Sequence, residues 1–231
     1  MKANRPLPKV RTGAADTTHP ARVIAFPSPW EPERKTAGVG VAIACVVLAM
    51  WYLPIFAAVV RGRFVHHQWP SGSAFGNTFG WGVMAVMTSL FSAATLTLAA
   101  RGSATSDVIA ARSGAQGVLQ KFAAESWAAC LVASAGFSVT TIALHYRTCT
   151  SLAEMGLDLH GGPAGSSIFA LVALDLVAMA IAAVALVGMT VRLMLGKWHP
   201  ARPLPLALWS VYLRCAAGLA VVGFFAAFVA A

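Results

Sequence analysis

Residues 166–192 read SSIFALVALDLVAMAIAAVALVGMTVR, and residues 204–231 read LPLALWSVYLRCAAGLAVVGFFAAFVAA. Each run is longer than the roughly 20 apolar residues that a helix needs to cross a membrane. Between them lies the basic segment GKWHPARP, residues 196–203, whose prolines and charges favour a turn in water. The sequence therefore predicts a hairpin of two membrane-spanning helices.

Each helix of this hairpin carries one charged residue near its middle, Asp175 in the first and Arg214 in the second. A single charge at the centre of a spanning helix costs about 2.5 to 3.5 kcal/mol on insertion scales. Two opposite charges at one depth would offset much of that cost by mutual attraction. We therefore expect an intramembrane ion pair that points into protein. We interpret this pair as a lock between two helices, and the alternative is a proton or ligand pathway.

The composition indicates an integral membrane protein. Of the 231 residues, 58% are hydrophobic and 11% are charged, which is too apolar for a water-soluble domain of this size. The net charge of +9 could suggest nucleic acid as a partner. However, the basic residues lie in tails and turns beside apolar runs, where they set membrane topology. We therefore expect no nucleic-acid partner.

The fold class predicted from the apolar runs is an all-α membrane bundle with five transmembrane helices. The predicted spans are residues 37–60, 80–100, 122–145, 166–192 and 204–230. A basic, disordered tail over residues 1–36 precedes this single transmembrane domain, residues 37–231. Of the Lys and Arg residues, 13 lie in the tail, the link between spans two and three and the final turn with Arg192 at its edge (7 + 3 + 3), and 3 lie in the other loops (2 + 1). This asymmetry predicts an N-terminus inside and a C-terminus outside.

Several polar residues are assigned to loops or helix ends. Adjacent His66 and His67 cannot face the same way on a helix, so we expect an exposed loop there rather than a metal or haem site. Glu125 is expected to pair with Lys121 at the membrane edge. We place His145 at the end of the third span.

The second span is rich in serine and threonine. Small and hydroxylated residues allow close helix packing in lipid, so we expect this span to share hydrogen bonds with its neighbours and to be surrounded by protein. The four cysteines form no CxxC motif and no Cys/His cluster, so a zinc site is not expected.

The hairpin resembles subunit III of the haem-copper terminal oxidases, particularly the five-helix form found in quinol oxidases. That family enters its penultimate helix with a GSxFFxLxGxHGxHV pattern, followed by an arginine, a basic turn of the form RGxxTPxxH and a YWHFVDxVW stretch. The matching residues here are Gly165, Ser166, Phe169, Leu171, Arg192, Gly196, Pro200 and Tyr212. Upstream, Leu90, Phe91, Ser92 and Thr95 are similar to the family's LFSSxT stretch.

The polar positions of the family differ in this chain. Asp175 and Ala178 stand where the family has the two histidines of HGxH. Arg214 and Ala217 replace the histidine and the aspartate of YWHFVD, and Ala85 replaces a membrane-embedded glutamate. We therefore do not expect this chain to have any role that depends on the family's histidines, aspartate or glutamate. A role as a scaffold is still expected.

What the resemblance implies is a non-catalytic accessory subunit of a respiratory oxygen reductase in a bacterial-type inner membrane. Its expected partners are catalytic subunit I, subunit II as a second candidate, and membrane lipids. The resemblance implies no catalytic residue, metal or haem in this chain; haem and copper belong to the partner subunits, and phospholipid is the expected bound molecule. Three alternatives stay open: a small proton-coupled transporter or channel that uses the Asp/Arg pair, a haem-binding membrane anchor, and an assembly factor.

Overall fold

The structure, a computed structural model, describes residues 31–65, 75–110, 118–160, 162–197 and 204–229. Side-chain surroundings are described for residues 36–65, 75–103, 126–160, 162–197 and 205–229. The five helices are α1 (Glu31–Val65), α2 (Asn77–Ala110), α3 (Val118–Glu154), α4 (Gly162–Met194) and α5 (Leu204–Phe224). A π-helical turn, Phe225–Val229, continues α5. No strand occurs in these ranges, so the predicted all-α class is confirmed for the described part of the chain.

The predicted number of helices that are long and apolar enough to cross a membrane is also confirmed for the described part of the chain. All five helices contain a stretch that is long and apolar enough to cross a membrane. These stretches are Thr36–Val65, Asn77–Ser103, Ser126–Glu154, Gly162–Met194 and Pro205–Val229.

Several helices are longer than the apolar runs predicted. The first begins at Glu31, within the segment assigned to the tail, and the second continues to Ala110. The third continues nine residues beyond His145, to Glu154. In that extension Thr148 Oγ1 donates a hydrogen bond to the carbonyl oxygen of Leu144, one turn back, at 2.9 Å. This bond satisfies the buried hydroxyl within its own helix.

Helices α3 and α4 end in the same manner. Gly156 follows α3 with a φ of 72°, and Gly196 follows α4 with a φ of 65°. Glycine is favoured there because this left-handed backbone conformation crowds a Cβ atom. The amide of Lys197 then bonds the carbonyl oxygen of Arg192 at 3.0 Å, which closes the last turn of α4.

Four helices form a closed ring, and the fifth lies outside it. Helix α2 packs on α3, α3 on α4, α4 on α5, and α5 on α2. Helix α1 packs in the outer groove between α4 and α5. Only 11% of the most apolar stretch of α1 is buried inside the protein, against 39 to 56% for the corresponding stretches of the other four helices. The interior of the protein is therefore the interior of the α2–α5 ring.

Helix α1 contacts the ring through one stripe. Leu48, Tyr52 and Val59 are buried on it, at the spacing of one helix face. Cys45 lies on the same stripe, with its thiol close to that of Cys215 in α5. The opposite face of α1 is apolar and exposed, as expected of a helix side that meets lipid or another protein.

The seam between α2 and α3 is held by hydroxyl groups. Ser92 Oγ donates to the carbonyl oxygen of Ser134 at 2.9 Å and lies 2.7 Å from Ser138 Oγ. Ser134 Oγ donates back to the carbonyl oxygen of Ser92 at 2.9 Å, and Thr141 Oγ1 donates to Thr88 Oγ1 at 2.9 Å. The expected hydrogen bonding of the second span is therefore confirmed. We also expected protein on all sides of this span. Within this chain it is only partly surrounded, since residues such as Phe91 are exposed.

Some predictions concern residues outside the described ranges. These are the tail over residues 1–30, the His66–His67 loop, the side-chain pair of Lys121 with Glu125, and Pro200.

Candidate functional site

Helices α4 and α5 pack against each other, as the hairpin predicted. The hydroxyl of Tyr212 donates a hydrogen bond to the carbonyl oxygen of Ala178 at 3.3 Å. Closer to the other end, Leu171 lies so near Gly223 that a Cβ atom on the glycine would be 3.1 Å from Leu171 Cδ2. The two charged residues of the hairpin therefore stand on neighbouring helices.

The expected ion pair between Asp175 and Arg214 is not formed in the structure. The side chain of Asp175 is 5% exposed, and its Oδ1 has no hydrogen-bond partner. Arg214 is exposed on the outside of α5, and its Nε donates to the carbonyl oxygen of Ser210 at 3.1 Å. The acid thus points into the ring, and the base points away from it.

Arg214 does not meet Asp175 because it lies on the outer face of α5. On α5 the buried side includes Leu206, Leu213 and Ala220. Arg214 belongs to an exposed stripe with three- and four-residue spacing, which comprises Ala207, Val211, Arg214, Gly218, Val222 and Phe225. Because α5 is apolar on both sides, its sequence does not distinguish the inner face from the outer one.

Asp175 borders a small cavity inside the ring. All four ring helices and the π-helical turn contribute to its wall, which is formed by Gly82, Val86, His145, Thr148, Leu171, Val172, Asp175, Gly223, Phe224, Ala227 and Phe228. The volume open to the centre of a water molecule is about 10 Å³. That is about the space that one water molecule requires.

Two polar atoms at this cavity have unmet hydrogen-bonding capacity. Asp175 Oδ1 on α4 and His145 Nε2 on α3 are buried and have no partner. The side chain of His145 is 3% exposed. Since nearly all buried polar groups in folded proteins are hydrogen-bonded to protein or water, two unpaired atoms at one cavity indicate a built polar site.

A third polar group lies beside them. Thr148, one turn after His145 on α3, also lines the cavity. Its hydroxyl donates to its own helix and so keeps acceptor capacity for another donor. The site therefore presents a carboxyl, an imidazole and a hydroxyl group to one small space.

The opposite wall of the cavity is aromatic. Phe224 and Phe228 stack with their ring centroids 5.1 Å apart, and Phe75 meets Phe228 edge-on at 4.7 Å. Phe228 lies in the π-helical turn, and such turns occur frequently at functional sites. The polar groups of the cavity therefore lie beside aromatic, apolar side chains.

Sequence reasoning missed His145 by placing it at a helix end. Because α3 continues to Glu154, His145 is an interior residue of that helix. The missed signal is the spacing of His145, Thr148 and Leu152, which repeats at three and four residues and marks one buried helix face. No site prediction included His145.

The described family-matching positions differ in burial. Gly165, Leu171, Tyr212 and Ser92 are buried, and Phe169, Ser166 and Thr95 are half-buried. Leu90, Phe91, Arg192 and Gly196 are exposed. Gly165 has the tightest environment, since a Cβ atom there would lie 3.0 Å from the Cα atom of Leu157. The buried positions support helix packing, which is the role expected of a scaffold residue.

The potential metal ligands at the cavity are His145 and Asp175. Within the described ranges, no group of three His, Cys, Asp or Glu side chains is placed to hold a metal ion.

The fold and the site together define a multi-pass helical membrane protein with a polar cavity in its interior. Comparison with known proteins finds no family model that matches the chain and no curated protein that matches its sequence.

Proposed function

We propose that this protein is a non-catalytic accessory subunit, similar to subunit III, of a respiratory haem-copper oxygen reductase. It packs beside the catalytic subunit and stabilises that subunit and its lipids. The haem and copper of the reaction belong to the partner subunits. Two things support the proposal: the subunit III-like residues of α2, α4 and α5, and the outward position of Arg214.

Arg214 is the observation that carries the proposal. It lies ten residues from each end of α5, Leu204 and Phe224, and therefore near mid-membrane. Charged residues at that depth are costly and are almost always paired or directed into protein or water. Its recorded hydrogen bond, from Nε to a carbonyl oxygen of its own helix, leaves the terminal nitrogens of the guanidinium to find acceptors. A carboxylate on a neighbouring subunit would supply them in bidentate geometry.

The surface around Arg214 suits a partner helix. Ala207 and Gly218 lie on the same exposed stripe, and no atom lies within 4 Å of the position that a Cβ on Gly218 would occupy. Small residues allow another helix to approach closely in lipid. The occupant that fits this surface is an apolar transmembrane helix with one carboxylate at the depth of Arg214.

The proposed topology follows from the basic residues. With 13 Lys and Arg on one side and 3 on the other, the N-terminus lies inside and, after five crossings, the C-terminus lies outside. The proposed membrane, from the resemblance to subunit III, is a bacterial-type inner membrane. The exposed apolar face of α1 is a surface for phospholipid chains.

The transporter alternative depended on Asp175 and Arg214 facing one pathway. Because Asp175 faces the interior of the ring and Arg214 faces its outside, these two residues do not favour a transporter. No other feature of the described residues favours the transporter alternative.

Affinity purification of the tagged, full-length protein in mild detergent tests the proposal. The expected result is a complex with a haem absorption spectrum and with copper in elemental analysis. Arg214→Leu should lose the coloured partner, whereas Arg61→Leu, which removes an exposed arginine close to the end of α1, should retain it. Recovery of the wild-type protein as a colourless, single component would contradict the proposal.

A further inference from the structure

Four features of the described residues stand outside the helix packing: the outer stripe of α5, the Cys45–Cys215 thiol pair, the exposed face of α1 and the cavity inside the ring. The cavity is distinguished by two unpartnered polar side chains that are more than nine-tenths buried, Asp175 and His145. They come from different helices, α4 and α3, and border one space.

We propose that this cavity is an internal water site, at which Asp175 and His145 share a proton through one bound water molecule. The proposal does not depend on a role in an oxygen reductase, because every group it uses belongs to this chain.

The space and its wall fit a single water molecule. The cavity volume of about 10 Å³ has room for one. A buried water needs two to four polar partners, and Asp175 Oδ1, His145 Nε2 and Thr148 Oγ1 provide three. The water would satisfy both unpaired atoms, each of which otherwise keeps the full cost of its desolvation.

The rest of the cavity wall is mainly aromatic and aliphatic. Leu171, Val172, Phe224 and Phe228 offer no side-chain hydrogen bond, so the bound water is directed to the three polar groups. Among the residues that line the cavity in the described part of the chain, Asp175 and His145 are the ones that titrate. A proton that enters this space is therefore held by one of these two side chains.

The proton transfer is balanced and reversible. The carboxylic acid of Asp175 gives its proton to the water oxygen, and the water gives one of its own protons to the lone pair of His145 Nε2. The products are a carboxylate and an imidazolium, and the water molecule is restored. No oxidant, reductant or further reactant takes part.

Solid-state NMR of the full-length, ¹⁵N-histidine-labelled protein in lipid bilayers tests the site. The His145 resonance is assigned by its loss in His145→Gln. In the wild type, magnetisation should pass from water protons to His145 Nε2. In Asp175→Asn the Nε2 resonance should shift, because the amide replaces the group at the other end of the bridge.

Asp158→Asn is the matched control. It makes the same acid-to-amide change in the connection between α3 and α4, where the carboxylate accepts a hydrogen bond from the amide of His160 at 2.9 Å and does not line the cavity. This variant should leave the His145 resonance unchanged. Absence of transfer from water to His145, or equal resonances in wild type and Asp175→Asn, would overturn the proposal. Either result leaves the accessory-subunit proposal standing, since that is tested by co-purification.

Discussion

Asp175 and His145 border the same cavity from neighbouring helices, and neither Asp175 Oδ1 nor His145 Nε2 has a hydrogen-bond partner in the protein. The acid expected to pair with Arg214 thus borders one cavity with a histidine of α3. This relationship changes which residues should be energetically linked.

Asp175 and His145 should be coupled in a double-mutant cycle. If one water joins them, removing either side chain leaves the other with fewer hydrogen bonds. The double variant should therefore lose less free energy of unfolding than the two single variants lose together. We expect a coupling energy of about 0.5 to 3 kcal/mol, the range for residues in one hydrogen-bond network. The four proteins are wild type, Asp175→Ala, His145→Ala and the double variant, compared by reversible unfolding in mixed micelles. Strict additivity would show that the two groups do not share a partner.

Asp175 and Arg214 should not be coupled. They face different surroundings, one inside the ring and one outside it. The effects of Asp175→Ala and Arg214→Ala should therefore add within about 0.5 kcal/mol. The same unfolding assay measures this, with the Asp175–His145 cycle as its internal comparison. A double variant more stable than either single variant would instead restore the ion pair.

Gly165→Ala should destabilise the bundle. The new Cβ would lie 3.0 Å from Leu157 Cα and 3.3 Å from the carbonyl oxygen of Asp158, and backbone atoms cannot move aside as a flexible side chain can. Overpacking of this kind costs about 1 to 3 kcal/mol. Gly188→Ala on the same helix is the control, because nothing lies within 4 Å of its added Cβ. Thermal denaturation of both variants in detergent should show a lower midpoint for Gly165→Ala alone.

Ser92→Ala should weaken the seam between α2 and α3. The substitution removes hydrogen bonds to Ser134 and Ser138 across the two helices. Hydrogen bonds between membrane helices contribute about 0.6 kcal/mol on average and up to about 1.7 kcal/mol. Ser166→Ala makes the same chemical change where the hydroxyl bonds its own helix only, at 3.3 Å to the carbonyl oxygen of Pro163. Equal stability of the two variants would mean that the serine seam contributes nothing beyond helix packing.

Hydropathy was sufficient to predict the number of helices but not their length. Crossing a membrane requires a long apolar run, so each of the five spans is visible in the sequence. The polar ends of α2 and α3 carry no such run, and the segments after Ala100 and His145 were therefore assigned to loops. In α3, the buried residues Thr148 and Leu152 continue the helix face of His145.

The candidate site could be predicted only in part. Asp175 was recognised because a charge inside an apolar run is rare. Its partner cannot be predicted from membrane depth and helix adjacency, because residues on both faces of α5 share them. Only packing shows that Tyr212 and Ala217 face inward while Arg214 faces outward.

The most direct test of the central claim, that Arg214 meets a partner subunit, is a cryo-electron microscopy structure of the complex that co-purifies with the full-length protein. The account predicts a transmembrane helix of a haem-containing subunit against the outer stripe of α5, with a carboxylate oxygen within about 4 Å of the Arg214 guanidinium. Lipid chains alone along that stripe, with the oxygen-reducing subunit absent or bound elsewhere, would contradict it.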